Sequence, residues 1–130
     1  MCIFCEIIEG NIPSKKVYED DKFLAILDIS QTTKGHTLVM PKKHYDNFLA
    51  MPTDEFQELM GKAKEISEKI IPSLGANGCN VLINTNAVAG QSVMHTHVHI
   101  IPRYDENDTI RFLFQENKYD LDEVLRSMEL

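Results

Sequence analysis

Long apolar runs are missing from this 130-residue sequence. A secretory leader needs a basic start and an uninterrupted apolar stretch of at least about 7 residues. Here Ile3, Phe4, Ile7 and Ile8 are broken by Cys5 and Glu6, and no basic residue precedes them. Nothing approaches the ~18 consecutive apolar residues of a membrane helix. The expected setting is therefore the cytoplasm, with no membrane partner. Basic charge is also scarce: 13 Lys and Arg stand against 20 Asp and Glu, for a formal net charge of -7. Duplex nucleic acid and anionic membranes both select for basic surface, so neither is the expected main partner. Cysteine is rarer still. Cys2, Cys5 and Cys79 are an odd number and cannot pair evenly into a disulfide framework, which favours metal or redox chemistry for the close Cys2–Cys5 pair. Repeats, low-complexity tracts and linkers are absent too, leaving a single domain over 1–130.

What is present folds. Apolar residues make up 43% and charged residues 25%, ordinary globular usage. A chain of this length buries roughly two-thirds of its unfolded surface. Residues 3–9 predict a helical turn ending at Gly10. Lys16 to Glu19 and Phe23 to Ile29 predict two strands around the polar turn Asp20-Asp21-Lys22. His36 to Met40 predicts a third strand, stopped by Pro41. From Thr53 to Ile71, apolar residues recur at three- and four-residue steps, with Thr53 as the expected N-cap and Asp54 and Glu55 in the first turn. Pro72 ends or kinks that helix. Cys79 to Thr85 and His95 to Arg103 read as further strands, joined by a small-residue loop, and a short helix starts at Asp120 with Glu123 as capping partner. The fold class is α+β: a mainly antiparallel sheet, one long helix and a short C-terminal helix.

All five histidines fall between positions 36 and 99, and three make the run His95-Thr96-His97-Val98-His99. In an extended chain the three imidazoles share one side and Thr96 and Val98 take the other. Packing alone does not call for three imidazoles on one face. One functional reading is a metal, since neutral imidazole is the commonest metal ligand. The other is covalent catalysis by the middle ring, with its neighbours holding the anion it attacks. The surrounding residues favour phosphoryl chemistry. No acidic ligand follows the run, whereas Gly90-Gln91-Ser92 before it offers backbone N–H groups and a hydroxyl to an oxyanion. Asn84 adds a neutral amide and His36 a further imidazole.

The segment Gly90-Gln91-Ser92-Val93-Met94-His95-Thr96-His97-Val98-His99-Ile100-Ile101 resembles the signature of the histidine triad nucleotide hydrolases and transferases. The likeness extends through His36-Thr37-Leu38-Val39-Met40-Pro41-Lys42-Lys43-His44, Ala25-Ile26-Leu27-Asp28-Ile29 and Cys2-Ile3-Phe4-Cys5, and so covers about 2–104 in the family's order. Thr96 departs from the family's apolar residue between the first two histidines, on the side turned away from the chemistry.

The resemblance implies a set of roles. His97 is the nucleophile toward the α-phosphorus of a purine nucleotide, forming a nucleotidyl-imidazole that water then hydrolyses. His99 and His36 hold phosphoryl oxygens together with Asn84 and the backbone around Gln91 and Ser92, and Ser92 also helps the leaving group. Asp28 binds ribose, and Ile3, Phe4, Ile7, Leu27 and Ile29 line the base. No catalytic metal is required. Bacterial-type members place a structural zinc on Cys2, Cys5, His44 and His95; the alternative is His95 as a plain support for His97. Homodimers are usual. Substrate selection lies in the divergent tail 105–130, which lacks the Trp often found in the amidase-type branch, so phosphoramidates and dinucleoside polyphosphates both stay open. A regulatory nucleotide-binding protein with little turnover is the alternative class, and a metal-dependent hydrolase a third. Cys79 is expected to be a buried thiol.

Overall fold

In the computed structural model, which describes residues 1–130, the alternating apolar segments form one five-stranded sheet with a helix on each face. Strands β1 (Lys16–Glu19), β2 (Phe23–Leu27), β3 (Thr37–Pro41), β4 (Gly78–Leu82) and β5 (Val98–Arg103) pair antiparallel throughout, in the order β1-β2-β3-β5-β4. The α+β expectation holds. Between β1 and β2 the Asp20 carboxylate accepts from the backbone N–H groups of Lys22 and Phe23 at 2.8 and 2.7 Å, so a side chain closes the turn.

Successive side chains of a strand point to opposite faces, which sorts the core into two halves. On one face Phe23, Ala25, Val39, Val98 and Ile100 pack against Leu59, Ala63 and Ile66 of the long helix α2 (Thr53–Ser73). On the other, Leu24, Ile26, Leu38 and Met40 pack against Phe4 and Ile7 of α1 (Ile3–Ile8). Each large side chain buried in this way contributes about 1.5–3 kcal/mol. Asp28, His36, His97 and His99 share parity with the α1 half, so the chemistry-bearing residues meet α1 and not α2.

Several boundaries differ from expectation. Pro52, not Thr53, occupies the N-cap of α2 and makes no side-chain cap bond; Thr53 is the first helical residue, and Pro72 lies inside the last turn. β2 stops at Leu27, and β4 stops at Leu82, before the turn that contains Asn86 at φ 71°. The expected strand from His95 pairs only from Val98 onward. His95 N–H donates to Val93 O and Thr96 N–H to Tyr45 O, at 2.9 and 2.8 Å, so this stretch is bonded to loops rather than to a neighbouring strand. The alternation survives without the ladder: Phe4 meets the rings of both His95 and His97 edge-on, while the Thr96 hydroxyl points back to Tyr45 O. Cys79 is exposed rather than buried, because β4 is an edge strand. The C-terminal helix α3 (Leu121–Ser127) starts as expected, with the Asp120 carboxylate accepting from the N–H groups of Asp122 and Glu123. No helix is long and apolar enough to cross a membrane.

Candidate functional site

The histidine run feeds two clusters. His97 and His99 join His36 and Asp28 beside Phe4, whereas His95 turns toward Cys2, Cys5 and His44. The pairing of strands builds the first cluster. Asp28 N–H donates to His36 O at 2.9 Å, extending the β2–β3 ladder by one step, and Leu38 pairs with His99 across β3 and β5. The rings of His97 and His99 are 5.0 Å apart, and His36 Nε2 is 2.9 Å from His99 Nδ1.

His97 is 6% exposed, and its Nδ1–H donates to the carbonyl of His95 at 2.7 Å. With the proton held on Nδ1, Nε2 keeps its lone pair. Burial holds the ring below the ordinary histidine range, against the opposing pull of the His95 carbonyl and the Asp28 carboxylate. Burial likewise lowers His36, opposed by Asp28, and lowers His99 to about 4, with His97 and His36 adding to the effect. Three neutral imidazoles at pH 7 therefore face one carboxylate. Asp28 itself is fixed: its Oδ1 accepts from Ser30 N–H at 2.8 Å, and Gln31 Nε2 bonds both Asp28 O and His36 O.

The loop before the run is closed more tightly than expected. Gly90 N–H donates to Ala87 O and Gln91 N–H to Asn86 O, so neither amide is free for an oxyanion. The Gln91 side chain is buried and bonds Asp46 O, Val93 O and Asn86 N–H, acting as a staple of the loop. Ser92 remains exposed, and Asn84 Nδ2 reaches Gly90 O at 3.4 Å. The β4–β5 ladder ends at Leu82–His99, two residues before Asn84.

Among the expected base-lining residues, Phe4 and Ile7 are buried in the α1 half of the core, whereas Ile3 is exposed and lines a surface groove with Cys2, Cys5 and Val93. Leu27 is corrected. By strand parity it faces the α2 layer, where it lines a groove with Ile70 and Leu74. Ile29 is 100% exposed, beyond the end of β2 and next to Asp28. The apolar wall on Asp28's side is Ile26, 4% exposed, which sequence reasoning missed although a two-residue step back from Asp28 points to it.

The second cluster has the dimensions of a metal cage. Cys2 Sγ is 3.4 Å from His95 Nδ1, Cys5 Sγ is 3.6 Å from His95 Nδ1 and 3.5 Å from His44 Nδ1, and the two Nδ1 atoms are 3.2 Å apart. Tetrahedral Zn²⁺ with ordinary bond lengths sets S and N ligand atoms about 3.6 Å apart and two N atoms about 3.3–3.4 Å apart. Hydrogen bonds orient both rings for coordination. His44 Nε2 bonds the Asp46 carboxylate and His95 Nε2 bonds Pro41 O, which turns each Nδ1 lone pair inward. The paired thiols resist losing both protons together. Burial and the facing Cys2 thiol push Cys5 up to about 11; for Cys2, burial acts upward but hydrogen bonds from Cys5, His44 and the Phe4 backbone together outweigh it and the net direction is down. These four side chains could hold a tetrahedral ion.

The sequence matches the HIT domain family over residues 9–106. The chain belongs to the HIT family. It is 48% identical over 129 residues to an uncharacterised HIT-like protein of Methanocaldococcus jannaschii, covering 99% of both. It is 42% identical over 106 residues to an adenylylsulfatase of Arabidopsis thaliana, covering 82% of this chain but 54% of that one. In structure it is similar to a HIT family member from Bacillus subtilis, with a TM-score of 0.91 and 42% identity over 98% of this chain and 94% of that one. This places it in a superfamily of nucleotide-binding proteins and nucleotide hydrolases.

Proposed function

We propose that this HIT chain hydrolyses or transfers nucleotidyl groups at the α-phosphorus of nucleoside phosphoramidates or dinucleoside polyphosphates, releasing a nucleoside monophosphate. The observation that supports this most is the His97 Nδ1–H bond to the His95 carbonyl at 2.7 Å, which leaves Nε2 as a nucleophile of fixed direction. Its lone pair would form the N–P bond as the P–N or P–O bond to the leaving group breaks. The leaving amine or phosphate takes a proton that the exposed Ser92 hydroxyl passes on, and that hydroxyl takes one back from solvent. Water would then attack phosphorus, the N–P bond would break with its electron pair returning to Nε2, and the water's proton would pass to solvent. His36 and His99, with Asn84 and the Ser92 amide, would hold the phosphoryl oxygens; Asp28 would hold the ribose hydroxyls, and Ile3, Phe4, Ile7 and Ile26 the purine. No step here uses a metal.

We further infer that Cys2, Cys5, His44 and His95 hold a structural zinc ion. When bound, it ties α1 and the loop after β3 to the residue whose carbonyl orients His97. The exposed edge of β4, with Cys79 and Val81 open to solvent, supports a homodimer joined there. Turnover of adenosine phosphoramidate and diadenosine tetraphosphate, alone and in competition, tests the reading and separates its two substrate classes. His97→Ala should abolish both activities. Nucleotide that binds stoichiometrically and is never turned over would overturn it in favour of a regulatory nucleotide-binding role.

A further inference from the structure

Asp28, His36 and His99 form a second group of metal-ligand type, separate from the cysteine cage. One ligand atom from each of the three side chains lies within 4.8 Å of the other two. His36 Nε2 is 2.9 Å from His99 Nδ1 and 3.7 Å from Asp28 Oδ2. Nitrogen and oxygen ligands on one tetrahedral ion stand about 3.3–3.4 Å apart. The two spacings from His36 bracket that value, and the third pair lies within 4.8 Å.

The surroundings hold these ligands in place. Asp28 Oδ1 is occupied by Ser30 N–H, which leaves Oδ2 toward the rings. Thr32 N–H donates to His36 Nδ1 at 3.4 Å, so without an ion the His36 proton sits on Nε2, facing His99 Nδ1. The Ser30 bond to Asp28 lowers the reorganisation that binding requires of the carboxylate. Two imidazoles and one carboxylate suit borderline divalent ions such as zinc, cobalt or nickel, and suit magnesium or calcium poorly. Three protein ligands also leave a coordination position open.

We propose that Asp28, His36 and His99 form an inhibitory site for a borderline divalent metal ion, and that ion and nucleotide exclude each other. The exclusion half rests on the proposed function, in which the same three side chains hold ribose and phosphate. Coordination uses the lone pairs of both facing nitrogens. His36 Nε2 must give up its proton on coordination, either to its own Nδ1 with loss of the Thr32 N–H bond or to solvent, while His99 Nδ1 already has its lone pair free of a proton. An ion so placed fixes Asp28 and draws His36 and His99 onto itself, so the nucleotide loses its ribose contact and both imidazole contacts together. The site is regulatory, not catalytic, and leaves the nucleophile His97 uncoordinated.

Cobalt titration of the metal-stripped full chain tests this, because Co²⁺ on thiolates carries a sulfur charge-transfer band and Co²⁺ on imidazole and carboxylate does not. The expected result is about two ions per chain, one of each spectral class. Asp28→Asn and His99→Gln should each weaken the thiolate-free class about 10–100-fold or more and leave the thiolate class unchanged. Cys2→Ser with Cys5→Ser should do the reverse. Adenosine monophosphate should displace only the thiolate-free ion. A single ion per chain, a second ion indifferent to Asp28 and His99, or an ion that binds more tightly with nucleotide present would overturn the proposal. Metal binding is read without turnover, so active protein taking one ion refutes this inference alone. Protein taking both ions but cleaving nothing refutes the functional reading alone.

Discussion

Gly35 delivers His36 to the site, and replacing it should cost more than any other single-methyl insertion among the glycines. Gly35 sits at φ +94°, and a Cβ there would stand 2.3 Å from Leu74 Cδ1 and 3.3 Å from Pro102 Cγ. The left-handed backbone costs an L-residue about 1–2 kcal/mol. Overpacking adds about 1–3 kcal/mol, at the lower end if the Leu74 side chain swings away. Gly35→Ala should therefore destabilise the fold by about 2–5 kcal/mol, which for a chain of this size lowers Tm by roughly 6–20 °C. Because Gly35 N–H donates to Gln31 Oε1, and Gln31 Nε2 bonds the carbonyls of Asp28 and His36, the strain also spreads into the phosphate and ribose ligands. Nucleotide affinity should fall even at temperatures where the variant is fully folded. Gly61→Ala is the matched control: it lies inside α2 with nothing within 4 Å of the new methyl, and should stabilise by about 0.5–1 kcal/mol. Thermal unfolding followed by circular dichroism, with nucleotide titration at low temperature, measures both effects. A Gly35→Ala variant as stable as the parent would refute the reasoning.

Further outcomes are expected elsewhere. Because burial lowers His97 and the attacking ring must be neutral, kcat/KM should stay flat as pH falls through 6.5 and drop only at more acid pH; an acid limb centred above 6.5 would contradict this. Burial-lowered His36 and His99 bind fewer protons folded than unfolded below pH 6.5, so stability should decline as pH falls from about 6.5 toward 4, measurable by urea unfolding across that range. Leu27→Ala should leave purine-nucleotide affinity nearly unchanged while Ile26→Val weakens it, since Leu27 faces α2 and Ile26 the site; the opposite order in a binding titration would reject the assigned wall. Elemental analysis of the purified chain should find about one zinc per chain in the cysteine cage, and Cys2→Ser with Cys5→Ser should remove it and lower Tm.

Strand alternation made much of the site legible in the sequence. It predicted that His97 and His99 share a side opposed to Thr96 and Val98, and the spacing of Cys2, Cys5, His44 and His95 was enough, through the family resemblance, to name the four side chains that the fold gathers. Alternation was also where Leu27 went astray: counting from Asp28 in steps of two selects Ile26, whereas following the contiguous segment includes Leu27. The engaged amides of Gly90 and Gln91 were not legible, because a Gly-Gln-Ser segment reads the same whether its N–H groups face a ligand or close a turn on Asn86 and Ala87. The early end of pairing at Val98 depends on bonds to Tyr45 and Pro41, about fifty residues away, which no local pattern encodes. Cys79 alternates like a core residue, but its strand lies at the sheet edge, and edge position is a property of topology.

The covalent step on His97 can be observed directly. Protein mixed with adenosine phosphoramidate and quenched within one turnover should carry one adenylyl group on the tryptic peptide 70–103, located by mass spectrometry at His97 and absent from His97→Ala. An adduct on another residue, or full turnover with no adduct on a chain quenched in the steady state, would contradict nucleophilic catalysis by His97.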